Sequence, residues 1–168
     1  MITYYAACTL DTYLAGPNGE LDWLPQPDDG EDYGYQAFYD RQDLMVMGKR
    51  TYDICLGFGA WPYADKETVV LTRTSGLTPR YNERFEVFDP VVWRDRSRTS
   101  NIYLNGGGEV ARLFLQHGLI DKLELAIVPV TLGEGLPLFA PGAPRTVWRL
   151  ERSAVGALGI VLNVYTRA

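Results

Sequence analysis

A strand, a glycine turn and a helix follow one another late in the chain, and this order constrains the fold most. Residues 102–104 form a short apolar run, residues 105–108 are Asn-Gly-Gly-Gly, and residues 110–115 have a helical apolar pattern. Backbone N–H groups at such a helix start, together with the positive end of the helix dipole, can bind a phosphate. The pattern therefore predicts an anion site at the end of a strand.

Apolar periodicity along the rest of the chain predicts an α/β domain. Segments with the pattern of strands are residues 2–10, 44–47, 67–72, 84–88, 102–104, 122–130, 147–153 and 160–166. Segments with the pattern of helices are residues 31–41, 50–56, 90–98 and 110–117. Helices separate the earlier strands, whereas the last strands follow one another directly. We therefore expect a three-layer domain with a mixed central sheet flanked by helices, in which the C-terminal strands are antiparallel.

Composition narrows the class of protein. The 168 residues carry a net charge of −5 with a pI near 4.9, so a clustered positive surface for nucleic acid is not expected. No apolar run approaches the roughly 18 residues of a membrane span, and the N-terminus lacks the pattern of a signal peptide. Cys8 and Cys55 form neither a disulfide framework nor a metal-ligand pattern with the single histidine. One cytoplasmic domain, residues 1–168, without metal, is predicted.

Three predicted strand ends carry groups that suit phosphates. Gly48, Lys49, Arg50 and Thr51 follow one strand, Thr72 and Arg73 follow the next, and Asn105 with the glycines follows the third. Because the carboxyl ends of parallel strands meet at one edge of a sheet, these groups should converge there. Guanidinium groups and hydroxyls favour phosphate oxygens, which predicts NADPH in preference to NADH. Taken singly, each group has the alternative of an ordinary turn or a solvated loop charge.

A Rossmann domain is the competing nucleotide fold. Gly106, Gly108 and Ala111 match the spacing G-x-G-x-x-G/A. That motif opens a βαβ unit and is followed about 20 residues later by an acidic residue closing the next strand. Here Glu124 lies near the start of the next predicted strand, and no βαβ unit follows. The Rossmann alternative is therefore rejected.

Six blocks, in order, carry a resemblance to a known family. They are the first strand with residues 10–16 (LDTYLAG), then residues 18–23 (NGELDW), 45–52 (MVMGKRTY), 68–73 (TVVLTR), 103–108 (YLNGGG) and 129–139 (PVTLGEGLPLF). With these blocks the chain resembles the dihydrofolate reductase-like superfamily and is most similar to the riboflavin-biosynthesis reductase (RibD C-terminal) domain family. The resemblance implies a dihydrofolate reductase-like fold and an NADPH-dependent oxidoreductase.

The resemblance also implies where NADPH would bind. The pyrophosphate would lie on the turn from Gly106 to Val110, the adenosine phosphates by the second and third strand ends, and the nicotinamide by Ala15 and Gly16, with the loop through Trp23 as a gate. The implied cofactor-binding residues are Ala15, Gly16, Gly48, Lys49, Arg50, Thr51, Leu71, Thr72, Arg73, Asn105, Gly106, Gly107, Gly108, Glu109 and Val110.

Residues for the substrate and for proton transfer are fewer. Dihydrofolate reductases have an acidic residue early in the first helix, for which the candidates are Asp32, Glu31 and Asp29, with Asp32 preferred as the catalytic residue. An acidic helix start also has the alternative role of complementing the helix dipole. Trp23, Phe58 and Trp61, with Tyr63, are candidates to wall a pocket for a flat heterocycle, although ordinary loop packing is an alternative. Where folate enzymes carry an arginine before the third strand, this chain has Lys66.

The sequence is compatible with three functions. The first is an NADPH-dependent reductase of a small pterin- or pyrimidine-like heterocycle, with 5-amino-6-(5-phosphoribosylamino)uracil of the riboflavin pathway as the specific substrate. The second is a dihydrofolate reductase, and the third is a nucleotide-binding domain without turnover. The resemblance to riboflavin-type relatives also implies a homodimer through the apolar C-terminal strands, for which packing in the core is the alternative. No nucleic-acid or membrane partner is expected.

Overall fold

A computed structural model describes residues 1–25 and 32–168 of the chain. The strands are β1 Ile2–Thr9, β2 Tyr13–Ala15, β3 Leu44–Gly48, β4 Glu67–Leu71, β5 Glu83–Glu86, β6 Ile102–Gly106, β7 Lys122–Val128, β8 Leu136–Pro137, β9 Trp148–Val155 and β10 Val161–Arg167. The helices are α1 Tyr35–Tyr39, α2 Lys49–Leu56, α3 Pro90–Thr99 and α4 Gly108–Gln116. In the part of the chain that is described, no helix has both the length and the apolar character needed to cross a membrane.

One mixed sheet of eight strands organises the molecule, in the order β5-β4-β3-β6-β1-β7-β10-β9. β10 is antiparallel to both of its neighbours, and the other neighbouring strands are parallel. This confirms the predicted three-layer α/β fold with antiparallel C-terminal strands. β7 joins the two parts of the sheet, since it pairs with β1 in parallel and with β10 in the antiparallel direction. The helix α4 carries the chain back across the sheet, and such a crossover makes the next strand parallel.

Two predicted segments differ from the structure. No strand was predicted between residues 10 and 44, yet Tyr13–Ala15 forms β2 and pairs with β8. A strand of three residues is too short to show an alternating pattern in sequence. The first helix was expected at residues 31–41, whereas α1 spans Tyr35–Tyr39 and residue 31 lies outside the described residues.

Alternate residues of the central strands build two cores, one on each face of the sheet. Leu44 and Val46 of β3 belong to the core beneath α3 and α4, which contains Trp93 and Phe114. Met45 and Met47 belong to the core beneath α1 and α2, which contains Phe38. Because both faces are covered, the central strands are apolar on both sides, as is usual for parallel sheets.

Candidate active site

A cavity of about 620 Å³ opens at the carboxyl edge of the central strands. β4, β3 and β6 are parallel neighbours, so the three strand ends do lie on one edge of the sheet. The cavity runs from the starts of α2 and α4 to the later part of α2, with β1 and the loop after β2 as further walls. Its volume is in the range of sites for small molecules and cofactors.

Two helix starts meet at one end of this cavity, which we call the cofactor end. Gly48 precedes α2 and Gly107 precedes α4, and neither helix has a side-chain cap. The N–H groups of both first turns therefore lack side-chain acceptors, and both helix dipoles present their positive ends there. Lys49, Arg50 and Thr51 from α2 and Gly108 from α4 line this end. The arrangement suits an anionic ligand with more than one phosphate.

Glycines at this end allow close approach between main-chain segments. Gly106 has a φ of +101°, a conformation that favours glycine, and its peptide bond to Gly107 is cis. A Cβ on Gly108 would lie 2.2 Å from the carbonyl oxygen of Pro137, and one on Gly48 would lie 2.9 Å from Val110. A Cβ on Gly107 would meet only ordinary contacts, the nearest 3.5 Å away. Packing thus requires two of these glycines independently of any ligand.

The predicted cations have different surroundings. The Lys49 ammonium pairs with Asp53 at 2.6 Å, and the Arg50 guanidinium donates to the carbonyl of Pro17 at 2.8 Å. Arg50 therefore ties α2 to the turn that follows β2. Arg73 is exposed, and the Thr72 hydroxyl accepts the N–H of Thr74 at 3.0 Å.

Most of the predicted cofactor-binding residues come together at the cavity. Those that line it are Ala15, Gly48, Lys49, Arg50, Thr51, Leu71, Asn105, Gly107, Gly108, Glu109 and Val110. Gly16, Thr72, Arg73 and Gly106 are not in its walls. Gly16 is covered by the carboxylate of Glu20, and Gly106 faces the ring of Tyr4.

The other end of the cavity, which we call the substrate end, is lined by Tyr5, Cys55, Tyr63, Tyr103 and Asn105. Not all of the predicted substrate residues reach the cavity. Trp23 and Phe58 line the cavity. The Trp23 indole N–H is buried with no hydrogen-bond partner among the described residues. Trp61 is only 7% exposed and is not in the walls. Its indole donates to Asn82 at 3.0 Å and its ring stacks on Tyr81, so it supports the wall from behind.

Asp32 lies two residues before the N-cap of α1 and outside the cavity walls. Its carboxylate accepts the N–H groups of Gln36 at 2.8 Å and Gly34 at 2.9 Å, and these bonds lower its pKa. A carboxylate stabilised in this way is a poor general acid. Asp29 and Glu31, the other candidates, lie outside the described residues. Among the residues that the structure describes, Glu109 at the cofactor end is the one carboxylate in the walls.

Sequence reasoning missed most of a hydrogen-bonded group at the substrate end. The Tyr103 hydroxyl donates to the amide oxygen of Asn105 at 3.0 Å, and the amide nitrogen donates to the Tyr63 hydroxyl at 3.0 Å. Tyr5 and Cys55 also line this end. Burial raises the pKa of Tyr5 to about 12 and that of Tyr103 well above its usual range. The sequence offered one signal for this group: Tyr103 lies in the apolar run of residues 102–104, where an aliphatic residue would be enough for packing.

The two thiols are buried and form no disulfide. Cys8 and Cys55 are both buried and free, and burial raises the pKa of each to about 11. A thiol with a raised pKa is a weak nucleophile at neutral pH. Within residues 1–25 and 32–168, no three His, Cys, Asp or Glu side chains come together as metal ligands.

Solved structures define the class to which this fold belongs. Dihydrofolate reductase from Enterococcus faecalis, complexed with NADP(H) and RAB-propyl, superposes with a TM-score of 0.74 at 17% identity, over 99% of this chain and 96% of that one. A pyrimidine reductase-like protein from Corynebacterium diphtheriae gives 0.72 at 15% identity, over 99% and 91%. The chain therefore has the dihydrofolate reductase-like fold, as the resemblance predicted.

The family within that class follows from closer matches. The model of the RibD C-terminal domain matches residues 64–162. A crystal structure named for riboflavin biosynthesis, from Shewanella sp. PV-4, superposes with a TM-score of 0.89 at 30% identity, over 99% of this chain and 98% of that one. The uncharacterised protein YwjB of Bacillus subtilis (strain 168) is 30% identical over 171 residues, covering 98% of this chain and 96% of YwjB. The chain belongs to the RibD C-terminal domain family.

Proposed function

We propose that this protein is an NADPH-dependent reductase that transfers a hydride to a small pterin- or pyrimidine-like heterocycle. The observation that carries the proposal is the cavity at the carboxyl edge of the sheet, where two uncapped helix starts and two cations face one end. Family membership and the NADP(H) complex of a protein with the same fold support a nicotinamide cofactor. The cations support NADPH over NADH, because the 2′-phosphate that only NADPH carries adds up to two negative charges, which cations bind.

The residues fit such a cofactor in three respects. N–H groups from Gly108 to Val110 would bind the pyrophosphate, and Arg50 and Thr51 would bind the adenosine phosphate. Ala15, which is buried and small, leaves room for a flat ring beside β1. Bound there, NADPH supplies the hydride, and the protein orients it and excludes water. Trp23 and Leu24 line the cavity and would exclude water from it.

The specific substrate predicted by the resemblance is 5-amino-6-(5-phosphoribosylamino)uracil, and dihydrofolate is the alternative. A nucleotide-binding domain without turnover is the third hypothesis. The apolar substrate end is favourable for the ring of either substrate, which supports a reductase over a domain that binds the nucleotide alone. A cytoplasmic location, expected from the sequence, belongs to the same proposal.

The first experiment measures cofactor binding by quenching of tryptophan fluorescence, since Trp23 lines the cavity. NADPH should bind at least tenfold more tightly than NADH. Arg50→Ala and Arg73→Ala should each weaken NADPH more than NADH, because each removes a cation from a strand end. Lys122→Ala, which removes a cation paired with Glu151 far along the sheet, is the matched control and should change neither affinity.

Equal affinities for the two cofactors would contradict the phosphate assignment, and no binding of either would contradict the reductase. Turnover is then followed at 340 nm with dihydrofolate and with the phosphoribosylaminouracil. Oxidation of NADPH by one of them identifies the substrate. Tight binding of NADPH without any turnover over a panel of pterins and pyrimidines would favour the non-catalytic hypothesis.

We also propose that two copies associate through β9. This strand is the outermost of the sheet, and seven of its eight residues are exposed. Leu150 and Val155 on it are 52% and 77% exposed, and an open edge of this length offers unpaired N–H and C=O groups to a strand of another chain. Sedimentation velocity should show a dimer, and Leu150→Arg should shift it to monomer. A wild-type protein that is still monomeric at about 100 µM would contradict this, since a dimer with a micromolar constant would have formed.

A further inference from the structure

A second, smaller pocket lies beside the cavity, between α1 and the C-terminal strands of the sheet, and we call it the side pocket. Its volume is about 190 Å³, which is below the range for whole ligands and suits one part of a ligand. Tyr33, Ala37 and Arg41, which are spaced to lie on one side of α1 and its flanking turns, form one wall. Residues of β7, β9 and β10 form the other wall. Tyr5 of β1 lines both the side pocket and the cavity, so the two sites adjoin at this residue.

The pairing of the strands places four residues in one row across this face of the sheet. From the cavity outward they are Tyr5 of β1, Glu124 of β7, Val164 of β10 and Arg152 of β9. Neighbouring strands lie about 4.8 Å apart, so the Cα atoms of Tyr5 and Arg152 are about 14 Å apart. Burial and, after it, the charge of Glu124 raise the pKa of Tyr5 to about 12, which agrees with their adjacent positions. A ligand that extends from Tyr5 along this row meets first a carboxylate and then a guanidinium.

The side pocket carries a net positive charge, although the protein as a whole is negative. Arg41 and Arg152 are the cations of its described walls, and Glu124 is their one carboxylate. Within the part of the chain that the structure describes, none of these three side chains makes a hydrogen bond or an ion pair. The neighbouring Lys122, by contrast, pairs with Glu151 at 3.2 Å. The two guanidinium groups are therefore available to an anion from outside the chain.

The order of these groups matches the order of the parts of a sugar phosphate. A phosphate binds guanidinium groups through charge-assisted, often bidentate hydrogen bonds. A carboxylate accepts hydrogen bonds from sugar hydroxyls, whereas it repels a phosphate or another carboxylate. With the ring of the ligand at Tyr5, the sugar would lie beside Glu124 and the phosphate beyond it, near Arg152. A tail of aryl and carboxylate groups, as in dihydrofolate, offers Glu124 no hydroxyl.

On the basis of the proposed function, we propose that the side pocket binds the ribose phosphate of the substrate, with Arg41 and Arg152 on the phosphate and Glu124 on the ribose hydroxyls. The substrate is then a heterocycle with a sugar-phosphate tail, which favours the phosphoribosylaminouracil over dihydrofolate. Because both arginines are exposed, each contact contributes modestly and is weakened by salt. The tail determines which way the ring enters the cavity, and no chemical step takes place in the side pocket.

The first test is calorimetric titration of ribose 5-phosphate into wild-type protein saturated with NADPH, so that the helix starts at the cofactor end are already occupied. Ribose, which lacks the phosphate, and 4-aminobenzoyl-glutamate, which lacks the sugar, should each bind about fivefold or more weakly than ribose 5-phosphate. No binding of ribose 5-phosphate at about 10 mM would overturn the proposal. Equal or tighter binding of 4-aminobenzoyl-glutamate would overturn it as well, in favour of a folate-like tail.

Variants locate that binding. Arg41→Ala and Arg152→Ala should each weaken ribose 5-phosphate about fivefold and leave NADPH affinity unchanged. Arg149→Ala is the matched control and should change neither affinity, since it removes an exposed cation of β9 that lies outside the pocket walls. An unchanged affinity in both pocket variants, or an equal loss in Arg149→Ala, would refute the assignment of the phosphate.

The carboxylate has a test of its own. Glu124→Gln removes a charge that repels phosphate and weakens an acceptor of sugar hydroxyls. The preference for ribose 5-phosphate over inorganic phosphate should therefore fall severalfold. An unchanged preference would contradict the contact between Glu124 and the ribose.

Competition shows whether one ligand occupies both the side pocket and the cavity. Ribose 5-phosphate should displace 5-amino-6-(5-phosphoribosylamino)uracil and should not displace NADPH. Simultaneous binding of ribose 5-phosphate and the phosphoribosylaminouracil would make the pocket a separate site and would contradict the proposal. Failure of NADPH to bind wild-type protein would instead refute the proposed function. The titrations of the arginine variants, repeated without NADPH, would then still test the side pocket.

Discussion

The two ends of the cavity are lined by different kinds of chemical group. At the cofactor end, main-chain groups and glycines predominate, and the side chains that matter are charged and at helix starts. At the substrate end, aromatic side chains predominate, and the polar groups are neutral hydroxyls and an amide. The first design suits a ligand defined by its charge, and the second suits a ligand defined by shape and by hydrogen-bonding atoms.

This difference teaches where variation should be tolerated. The cofactor end depends on main-chain positions that packing also requires, such as Gly108 against Pro137. The substrate end depends on side chains instead, such as those of Tyr63 and Phe58. A family that keeps its cofactor and changes its substrate could therefore vary residues such as Tyr63 and Phe58 while retaining the glycines.

Gly108→Ala should have the largest effect, because the added Cβ would lie 2.2 Å from a backbone oxygen that cannot move alone. We expect a loss of about 3 kcal/mol in the free energy of unfolding, together with weakened NADPH binding. Urea denaturation followed by circular dichroism measures the first quantity. Gly107→Ala, whose Cβ would meet the nearest atom at 3.5 Å, is the control and should cost less than about 1 kcal/mol. Equal losses in the two variants would show that the close contact does not limit this end.

Glu83→Gln should have the next largest effect on the free energy of unfolding, through residues that pack behind the substrate end. The buried carboxylate accepts the Tyr52 hydroxyl at 2.6 Å and the N–H groups of Arg80 and Tyr81 at 2.7 and 2.9 Å. Burial alone would raise its pKa, but these bonds outweigh burial and lower it. Replacing it should cost about 2 kcal/mol in the free energy of unfolding near pH 7.

The pH dependence of that loss follows from the lowered pKa. The contribution of Glu83 is fully present above the unfolded-state pKa of the residue and is lost as pH falls through the lower folded-state pKa. The difference between wild-type protein and Glu83→Gln should therefore shrink in acid. Urea denaturation at several pH values measures it, with Glu67→Gln, an exposed partner of Arg84, as the control. A difference that stays constant into acid would contradict this account.

The smallest expected effect is a difference between the two ends in how far salt weakens ligand binding. Exposed ionic contacts are screened when the Debye length falls below about 10 Å, whereas contacts between uncharged groups are not. Raising the salt concentration from 0.05 M to 0.5 M should weaken NADPH binding by roughly fivefold and leave 6-methylpterin binding nearly unchanged. Fluorescence and calorimetric titrations measure the two affinities. A similar response for both ligands would remove the electrostatic distinction between the ends.

The sequence predicted much of the fold and the cofactor end, for identifiable reasons. Buried parallel strands such as β3 are continuous apolar runs, and the glycines at 106–108 mark a strand-to-helix turn, so both are local signals. The pairing direction of β7 and the short strand β2 depend on partners far along the chain, and local patterns do not encode them.

The substrate end was largely invisible for a similar reason. Tyr5, Tyr63 and Tyr103 come from three separate segments, and each alone is an ordinary core aromatic. Trp61 is the opposite case. Its position beside glycines and a proline predicted that it would line a pocket, but its ring packs on Tyr81 and Tyr52. Only the folded arrangement distinguishes an aromatic that faces the cavity from one that supports it.

A crystal structure of the complex with NADP⁺ and 6-methylpterin would show directly whether the cavity is divided into two ends. We expect the pyrophosphate at the N–H groups of residues 108–110 and the 2′-phosphate near Arg50. The pterin ring should lie among the aromatic residues of the substrate end, close to Tyr63 and Phe58. A cofactor bound elsewhere, or a ring that lies at the helix starts instead of among the tyrosines, would contradict the division of the cavity into two ends.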